Sequence, residues 1–435
     1  MPTSSLESSP RARHRIAAGL TCAVLVSLVP AGAAQAASSR GVPDDPGVIA
    51  EWNAIAVTTL AGDTTKASIE STLYLGFVHA AVYNAVVGIE GRYAPYRFRT
   101  RAPRGASAQA AAVAAAHKIL STYTPYARIA LDTSYATSLS LIPDGGAKTR
   151  GVAYGESAAD ALIAQRAHDG RNAAVQFTVP PGPGVWRPTP PATLPFSAPW
   201  LGSVTPLLTR SPAQFGEPGP PPALTSARYT RDFDEVKAMG SAASTTREGD
   251  QTATAQFFAG NAIVQFNAAL RNQAATRNLD IVQSARMFAA VDMTVADAII
   301  SIWHSKYLYG FWRPVTAITL AGTDGNAATT ADPAWTPLLA TPPYPDYVSG
   351  YSGFTGAFTR ALQQTLGTRD LQLTLTSTAV PGATRSYRSA KTLNTDVVNA
   401  RVWLGLHFRF ADTAGLRMGQ EVADWSLSRY FRPVH

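Results

Sequence analysis

Apolar residues recur every three or four positions through most of this chain, which is the spacing of helices that bury one face. Strict two-residue alternation between turn signals is rare, so the pattern predicts an all-α fold rather than a β-rich one. Six segments carry the helical pattern most clearly: residues 48–87, 108–120, 152–167, 233–239, 252–271 and 281–303.

Proline and glycine interrupt this pattern between residues 178 and 224, where residues 180–184 read Pro-Pro-Gly-Pro-Gly. Such a stretch can form neither a regular helix nor a central strand. It predicts either a long ordered excursion or a boundary between two helical halves, at about residues 37–177 and 225–435.

The amino terminus has the layout of a secretory signal. Three arginines precede an apolar run at residues 16–29, and small residues follow as far as Ala36. A membrane anchor is the alternative, but the run is short for a membrane span of about 20 residues and Pro30 follows it. We therefore predict that residues 1–36 are removed, and that residues 37–435 form a secreted, extracellular protein without a stable membrane anchor.

The cysteine content and the charge of the chain exclude some kinds of site and ligand. The only cysteine, Cys22, lies in the predicted signal, so the mature chain can have no disulfide, thiol nucleophile or thiolate metal site. The formal net charge is +8, of which +2 belongs to residues 1–36 and +6 to the remainder. No long Lys/Arg run exists, so nucleic-acid binding is not expected, whereas a small anionic ligand suits the positive balance.

Two cations stand out in the aromatic segment at residues 303–314. Lys306 and Arg313 are seven residues apart, so a continuous helix would place them on one face about 10 Å apart along its axis. Two cations on an otherwise apolar face need an anion or water. The alternative is a pair of surface cations whose stems cover aromatic rings.

A serine and a glycine open the next segment, residues 345–358. Ser349 and Gly350 precede an apolar helical run that begins near Phe354. Free backbone N–H groups and a hydroxyl at a helix amino terminus form a cradle for an oxyanion, although many such serines are simple helix caps.

The third segment, residues 397–410, is apolar nearly all round, so a helix there would bury Arg401 and His407. A buried arginine needs a partner. The two residues differ by about 120° on an ideal helix, so both reach one ligand only if the arginine curls back or the helix loosens near Gly405. A core histidine is the alternative for His407.

The order Lys-x6-Arg-Pro, then Ser-Gly, then Arg-x5-His resembles the three-part signature of vanadium-dependent haloperoxidases and the related type 2 phosphatidic acid phosphatases. Residues 77–85, 285–289 and 311–318 also resemble the secreted bacterial haloperoxidase-like branch. This resemblance covers most of the mature chain and implies an all-α architecture of helical bundles.

The resemblance also implies a cofactor and roles for particular residues. It implies vanadate as cofactor, with phosphate able to occupy the same site. The oxyanion would be held by Lys306, Arg313, Arg401, Ser349 and Gly350, with His407 bonded axially to the metal. The implied catalytic residues are His407, Ser349 and Tyr351.

Three positions depart from the family pattern. Tyr351 replaces a histidine that serves as acid/base, and a phenol with a pKa near 10 is a poor substitute. Ala400 replaces a serine, and Ala411 replaces a carboxylate that would orient His407, with Asp412 one place later.

No other histidine is expected to replace the missing acid/base. His304 lies about 200° round the helix from Lys306 and should point away, and His79 lies on an apolar helix typical of a core histidine.

Three functions stay open at this point. The first is a vanadium haloperoxidase, an oxidoreductase that uses hydrogen peroxide to oxidise halide, with activity altered by Tyr351. The second is an acid phosphatase that hydrolyses phosphate monoesters through a phosphohistidine, and the third is a non-catalytic oxyanion-binding protein. Their ligands are therefore peroxide and halide, a phosphate ester, or an oxyanion alone.

Overall fold

The computed structural model of the protein describes residues 44–434, and helices dominate that range. The α-helices are α1 (Gly47–Gly62), α2 (Ser71–Glu90), α3 (Ala108–Tyr123), α4 (Arg128–Ser140), α5 (Gly146–Gln165), α6 (Ala213–Gly216), α7 (Ala227–Met239), α8 (Gly249–Phe257), α9 (Ala262–Thr276), α10 (Ile281–Tyr309), α11 (Pro314–Thr319), α12 (Gly350–Leu366), α13 (Ala390–Trp403) and α14 (Arg409–Leu427). The predicted all-α class is confirmed. The predicted signal, residues 1–36, lies outside the described residues.

Two predicted segments divide in the structure. Residues 48–87 form α1 and α2 rather than one unit. Residues 252–271 form the end of α8 and the start of α9, because Asn261 caps the second helix by accepting hydrogen bonds from the backbone N–H groups of Ile263 and Val264.

One β-hairpin accompanies the helices in the described range. Strand β1 (Asp370–Thr376) pairs antiparallel with β2 (Thr384–Ser389). Leu371, Leu373 and Leu375 are buried, and the residues between them point to solvent, so the strand shows the two-residue alternation of a half-buried sheet.

Helix α10 forms the centre of the core and packs against α2, α12 and α14. A Cβ at Gly415 of α14 would clash with the carbonyl oxygen of Ser349, and a Cβ at Gly419 would clash with that of Gly353. Glycine at both positions therefore lets α14 approach α12 closely where α12 begins. One helical stretch, Ser68–Glu90, is long and apolar enough to cross a membrane, but 89% of its apolar window is buried inside the protein.

The proline- and glycine-rich stretch at residues 178–224 follows an irregular path. It contains a 3-10 turn at Pro199–Ser203 and the four-residue helix α6. Its residues 207–209 are fixed to α10, because the Asp297 carboxylate accepts the backbone N–H groups of Leu207, Leu208 and Thr209. The stretch is therefore part of the same folded unit as the helices before and after it, which spans Asp44–His435.

Candidate oxyanion site

Lys306 and Arg313 do not share a continuous helix. Helix α10 ends at Tyr309, Gly310 adopts a left-handed conformation with φ of 48°, and Arg313 caps the start of α11. The helix ends here because Gly310 tolerates that conformation and Pro314 begins the next helix without a backbone N–H. Both cations are nevertheless completely buried, so the alternative of surface cations over aromatic rings is wrong.

Backbone carbonyls and an aromatic ring surround Lys306. Its Nζ donates hydrogen bonds to the carbonyl oxygens of Pro345 at 2.6 Å and Asp346 at 3.0 Å. The ring of Tyr344 lies 5.0 Å from Nζ and 4.7 Å from Cζ of Arg313, within the range of cation–π attraction. Burial and the nearby Arg313 lower the pKa of Lys306 well below its usual value.

Arg313 connects the second segment with the third. Its Nε donates to the carbonyl oxygen of Tyr344 at 2.7 Å, and its Nη1 donates to that of Leu406 at 2.8 Å. Nη1 also lies 3.1 Å from Nε2 of His407. Because arginine has no acceptor, Nε2 must accept in this contact.

His407 lies between Arg313 and a buried carboxylate. Its Nδ1 is 2.7 Å from Oδ1 of Asp346, although neither oxygen of Asp346 makes a hydrogen bond of good geometry. Burial, reinforced by the surrounding cations, lowers the pKa of His407 well below its usual value, so the ring is neutral. With Nε2 as acceptor, its single proton lies on Nδ1, the nitrogen 2.7 Å from Asp346.

The helix of the third segment ends before His407. Helix α13 stops at Trp403, and Gly405 adopts a left-handed conformation with φ of 75°. This is the loosening that the spacing of Arg401 and His407 required. Both residues line the same cavity, and His407 is buried in it.

Ser349 precedes α12 without capping it. Its backbone N–H donates to the carbonyl oxygen of Ala411 at 3.0 Å, while its buried Oγ has no hydrogen-bond partner. Helix α12 begins at Gly350, four residues before the expected position, and Gly350 lines the cavity. A buried hydroxyl without a partner at a helix amino terminus is available to an anionic ligand.

Tyr351 contacts Arg401 through its ring. Cζ of Arg401 lies 4.8 Å from the ring centre, and the Tyr351 hydroxyl donates to Oε1 of Gln265 at 3.2 Å. Burial raises the pKa of Tyr351, partly offset by Arg401. Nη1 of Arg401 donates to the carbonyl oxygen of Phe258 at 3.3 Å, and its Nε is buried without a partner.

A cavity of about 450 Å³ lies beside these residues. Gly350, Tyr351, Arg401 and His407 line it directly, whereas Lys306, Arg313 and Ser349 are buried behind that surface. The donor set fits a tetrahedral oxyanion, because Nη2 of Arg313, Nε of Arg401 and Oγ of Ser349 are all buried donors without a partner. Within residues 44–434, no cluster of three or more His, Cys, Asp or Glu side chains could hold a metal ion by itself.

Known proteins are similar to this chain in sequence. Residues 286–435 match the family model for the second helical-bundle domain of vanadium chloroperoxidase. The chain is 27% identical to vanadium chloroperoxidase from Curvularia inaequalis, over 84% of this chain and 79% of that protein. Its carboxy-terminal domain, and most of its length, therefore resemble vanadium chloroperoxidase.

Solved structures of bacterial vanadium haloperoxidases share its fold. The first bacterial vanadium-dependent iodoperoxidase superimposes with a TM-score of 0.76 at 23% identity, over 91% of this chain and 98% of that one. A holo-type bacterial vanadium-dependent chloroperoxidase gives a TM-score of 0.65 at 18% identity, over 83% and 92% of the two chains.

Three residues of this site were missed by sequence reasoning: Tyr344, Asp346 and Gln265. A carboxylate three residues before Ser349, within the apolar run at residues 344–348, is the one signal that could have indicated Asp346. The carboxylate at Asp412 contacts Ser352 at 2.8 Å instead of His407.

The remaining histidines near the site follow their expected placement. His304 points away from the cavity, with its ring nitrogens 3.3 Å from the Gly202 carbonyl oxygen and 3.4 Å from Glu217. His79 is a core histidine, 1% exposed, and stacks on Phe288.

Proposed function

We propose that this chain is an exported vanadium haloperoxidase-type enzyme, which binds vanadate at the inner end of the cavity and oxidises halide with hydrogen peroxide. The observation that carries the proposal is the convergence of Arg313, Arg401 and His407 with the free hydroxyl of Ser349. Asp346 lies 3.8 Å from Nη1 of Arg313, but Nη2 of Arg313 and Nε of Arg401 are buried without a hydrogen bond, so an oxyanion would complete the site. Export rests on the signal-like residues 1–36.

The fit to vanadate rests on which donors remain free. Arg401 and Arg313 would bind oxyanion oxygens through Nε and Nη2, and Ser349 would donate its hydroxyl. The bound metal would supply the Lewis acidity that makes peroxide reactive towards halide.

His407 and Asp346 would supply a neutral imidazole to the bound oxyanion. The lone pair of that imidazole is on Nε2, where it accepts from Arg313, and this hydrogen bond would have to break for Nε2 to bind the oxyanion. Asp346 lies 2.7 Å from Nδ1 and would orient the ring once the two groups align, in the way that carboxylates orient many metal-binding histidines. Asp346 thus supplies a carboxyl group next to His407, which Ala411 cannot supply.

Proton transfer is the weak element of this site. Burial raises the pKa of Tyr351, and its hydroxyl donates to Gln265 rather than to the oxyanion position. A well-placed acid/base contributes about 10²- to 10⁴-fold in rate, so we expect slow turnover with intact oxyanion binding.

A paired assay of the purified chain from residue 37 tests the proposal. One arm measures bromination of a phenol indicator with peroxide and vanadate, and the other measures hydrolysis of a chromogenic phosphate monoester. Vanadate-dependent bromination supports the haloperoxidase. Hydrolysis without bromination would replace it with the phosphatase, and vanadate binding without either reaction would replace it with an oxyanion-binding protein.

A further inference from the structure

The cavity is larger than an oxyanion requires. It encloses about 450 Å³. A tetrahedral oxyanion has five heavy atoms, which fill roughly 150 Å³ at about 30 Å³ for each water-sized group. The remaining space falls within the size range of sites for small organic molecules, about 300 to 1,000 Å³ in total.

The walls of that remaining space are apolar and aromatic. Ile69, Ile263, Leu339 and Phe354 line it, together with the indole of Trp303. The ring of Tyr344 lies 5.0 Å from that indole with an interplanar angle of 51°. Flat apolar molecules pack well in such surroundings, because aromatic edges and faces attract each other.

The charge of the lining defines the ligand class further. Among the described residues that line the cavity, Arg401 is the one with a permanent charge, and none is an aspartate or a glutamate. A cationic ligand would lose its hydration there without gaining a counter-charge, whereas a neutral ligand loses little and an anionic one can approach Arg401.

We propose that this cavity binds an aromatic organic molecule, uncharged or anionic, next to the oxyanion position. This inference deepens the proposed function, on which it rests, because such a molecule is the organic acceptor for oxidised halide. Its position beside Arg401 and His407 would place the acceptor where the oxidised halide forms.

Three phenols of nearly equal size provide the direct test: 4-ethylphenol, which is neutral, tyramine, which is cationic, and 4-hydroxyphenylacetate, which is anionic. Calorimetry on the chain from residue 37 should detect binding of 4-ethylphenol and of 4-hydroxyphenylacetate. Tyramine should bind at least about tenfold more weakly, because its ammonium group has no partner in the cavity. Saturating phosphate should weaken the binding of 4-hydroxyphenylacetate and leave the affinity for 4-ethylphenol unchanged.

Two substitutions test whether this cavity is the binding site. Ala340→Trp and Ala259→Trp each add an indole to a different loop that lines the cavity. Each should weaken the binding of 4-ethylphenol by about tenfold or more, because the indole fills part of the cavity. Leu141→Trp is the matched control, since Leu141 is 72% exposed on another surface. Thermal melting verifies that each variant is folded.

The outcomes separate this inference from the proposed function. Absence of 4-ethylphenol binding, equal binding of all three phenols, or unchanged binding in both tryptophan variants would overturn the aromatic site. If the unmodified chain bound the phenols but neither phosphate nor vanadate, the oxyanion function would be overturned instead.

Discussion

His407, which lines the cavity, lies against Asp346, with 2.7 Å between Nδ1 and Oδ1. Both side chains are buried, and Asp346 lies in the segment between the second cation and the serine of the signature. This placement gives His407 a neighbouring carboxylate despite the alanine at residue 411.

Asp346→Asn should lower halide-oxidation turnover by about 10- to 100-fold, because groups that orient a ligating histidine contribute on that scale. Phosphate affinity near pH 7 should change little, since burial raises the pKa of Asp346 to about 8 and the group is then mostly uncharged. Asp412→Asn removes a different buried carboxylate, which contacts Ser352, and it should change turnover much less. Equal losses of turnover in the two variants would show a general charge effect and contradict the positioning role.

Arg401→Ala should weaken vanadate and phosphate binding by roughly 10- to 100-fold, which corresponds to one or two hydrogen bonds to a charged group. The expected loss is large because Nε of Arg401 is buried and free to bind the ligand. Isothermal calorimetry measures the affinity, with Arg369→Ala, at an exposed position, as the charge-matched control. Identical affinity for Arg401→Ala and the unmodified chain would remove Arg401 from the site.

Tyr351→Phe should leave turnover close to that of the unmodified chain, because the hydroxyl that it removes is bonded to Gln265. The ring that packs on Arg401 is retained, so oxyanion affinity should also persist. Tyr351→His restores an imidazole beside the cavity and should raise turnover much more than vanadate affinity. A large loss of turnover in Tyr351→Phe would instead identify the phenol as a working acid/base.

Asp292→Asn should change how stability depends on pH. Burial raises the pKa of Asp292 to about 8, so the folded chain keeps a proton that the unfolded chain loses near pH 4. The contribution of Asp292 to stability is therefore present at low pH and falls as pH rises from about 4 to about 8. Urea unfolding at pH 5 to 8 should show that the free energy of unfolding of the variant rises relative to that of the unmodified chain, by up to about 1.4 kcal/mol per pH unit.

The His79 ring, 3.5 Å from Asp292, is a second buried titrating group. Burial lowers its pKa to about 3, so its contribution to stability is lost as pH falls from about 6.5 towards 3. This contribution is present in both proteins and cancels in the comparison. Parallel stability curves for the two proteins would contradict the prediction for Asp292.

Secreted material should begin at Ala37 or Ser38 and contain no disulfide. The expectation follows from the signal-like residues 1–36 and from Cys22 as the only cysteine. Intact mass spectrometry of protein from the culture medium measures both properties. Recovery of a secreted chain that still carries residues 1–36 would contradict it.

Local sequence was enough to predict the helical class and the order of the charged residues. Helical periodicity is local, so α3 could be predicted to within three residues, and α5 and α10 to within six. The cations, the serine and the histidine could be found because each lies in a short motif whose spacing is visible along the chain. Helix α4 was missed because only Leu131 and Ser138 are buried, so it lacks a strong apolar stripe.

Which side chains meet in the site depends on tertiary packing. The break after Tyr309 redirects Arg313 towards His407, 94 positions further along the chain, and no local pattern specifies that contact. The direction of the Tyr351 hydroxyl depends on Gln265 of another helix, 86 residues away. Asp346 could not be assigned to His407 from spacing, because the pairing depends on how α13 ends and how α14 packs on α12. Helical periodicity is a short-range property of the backbone, whereas hydrogen bonding in a buried site depends on the packing of distant segments.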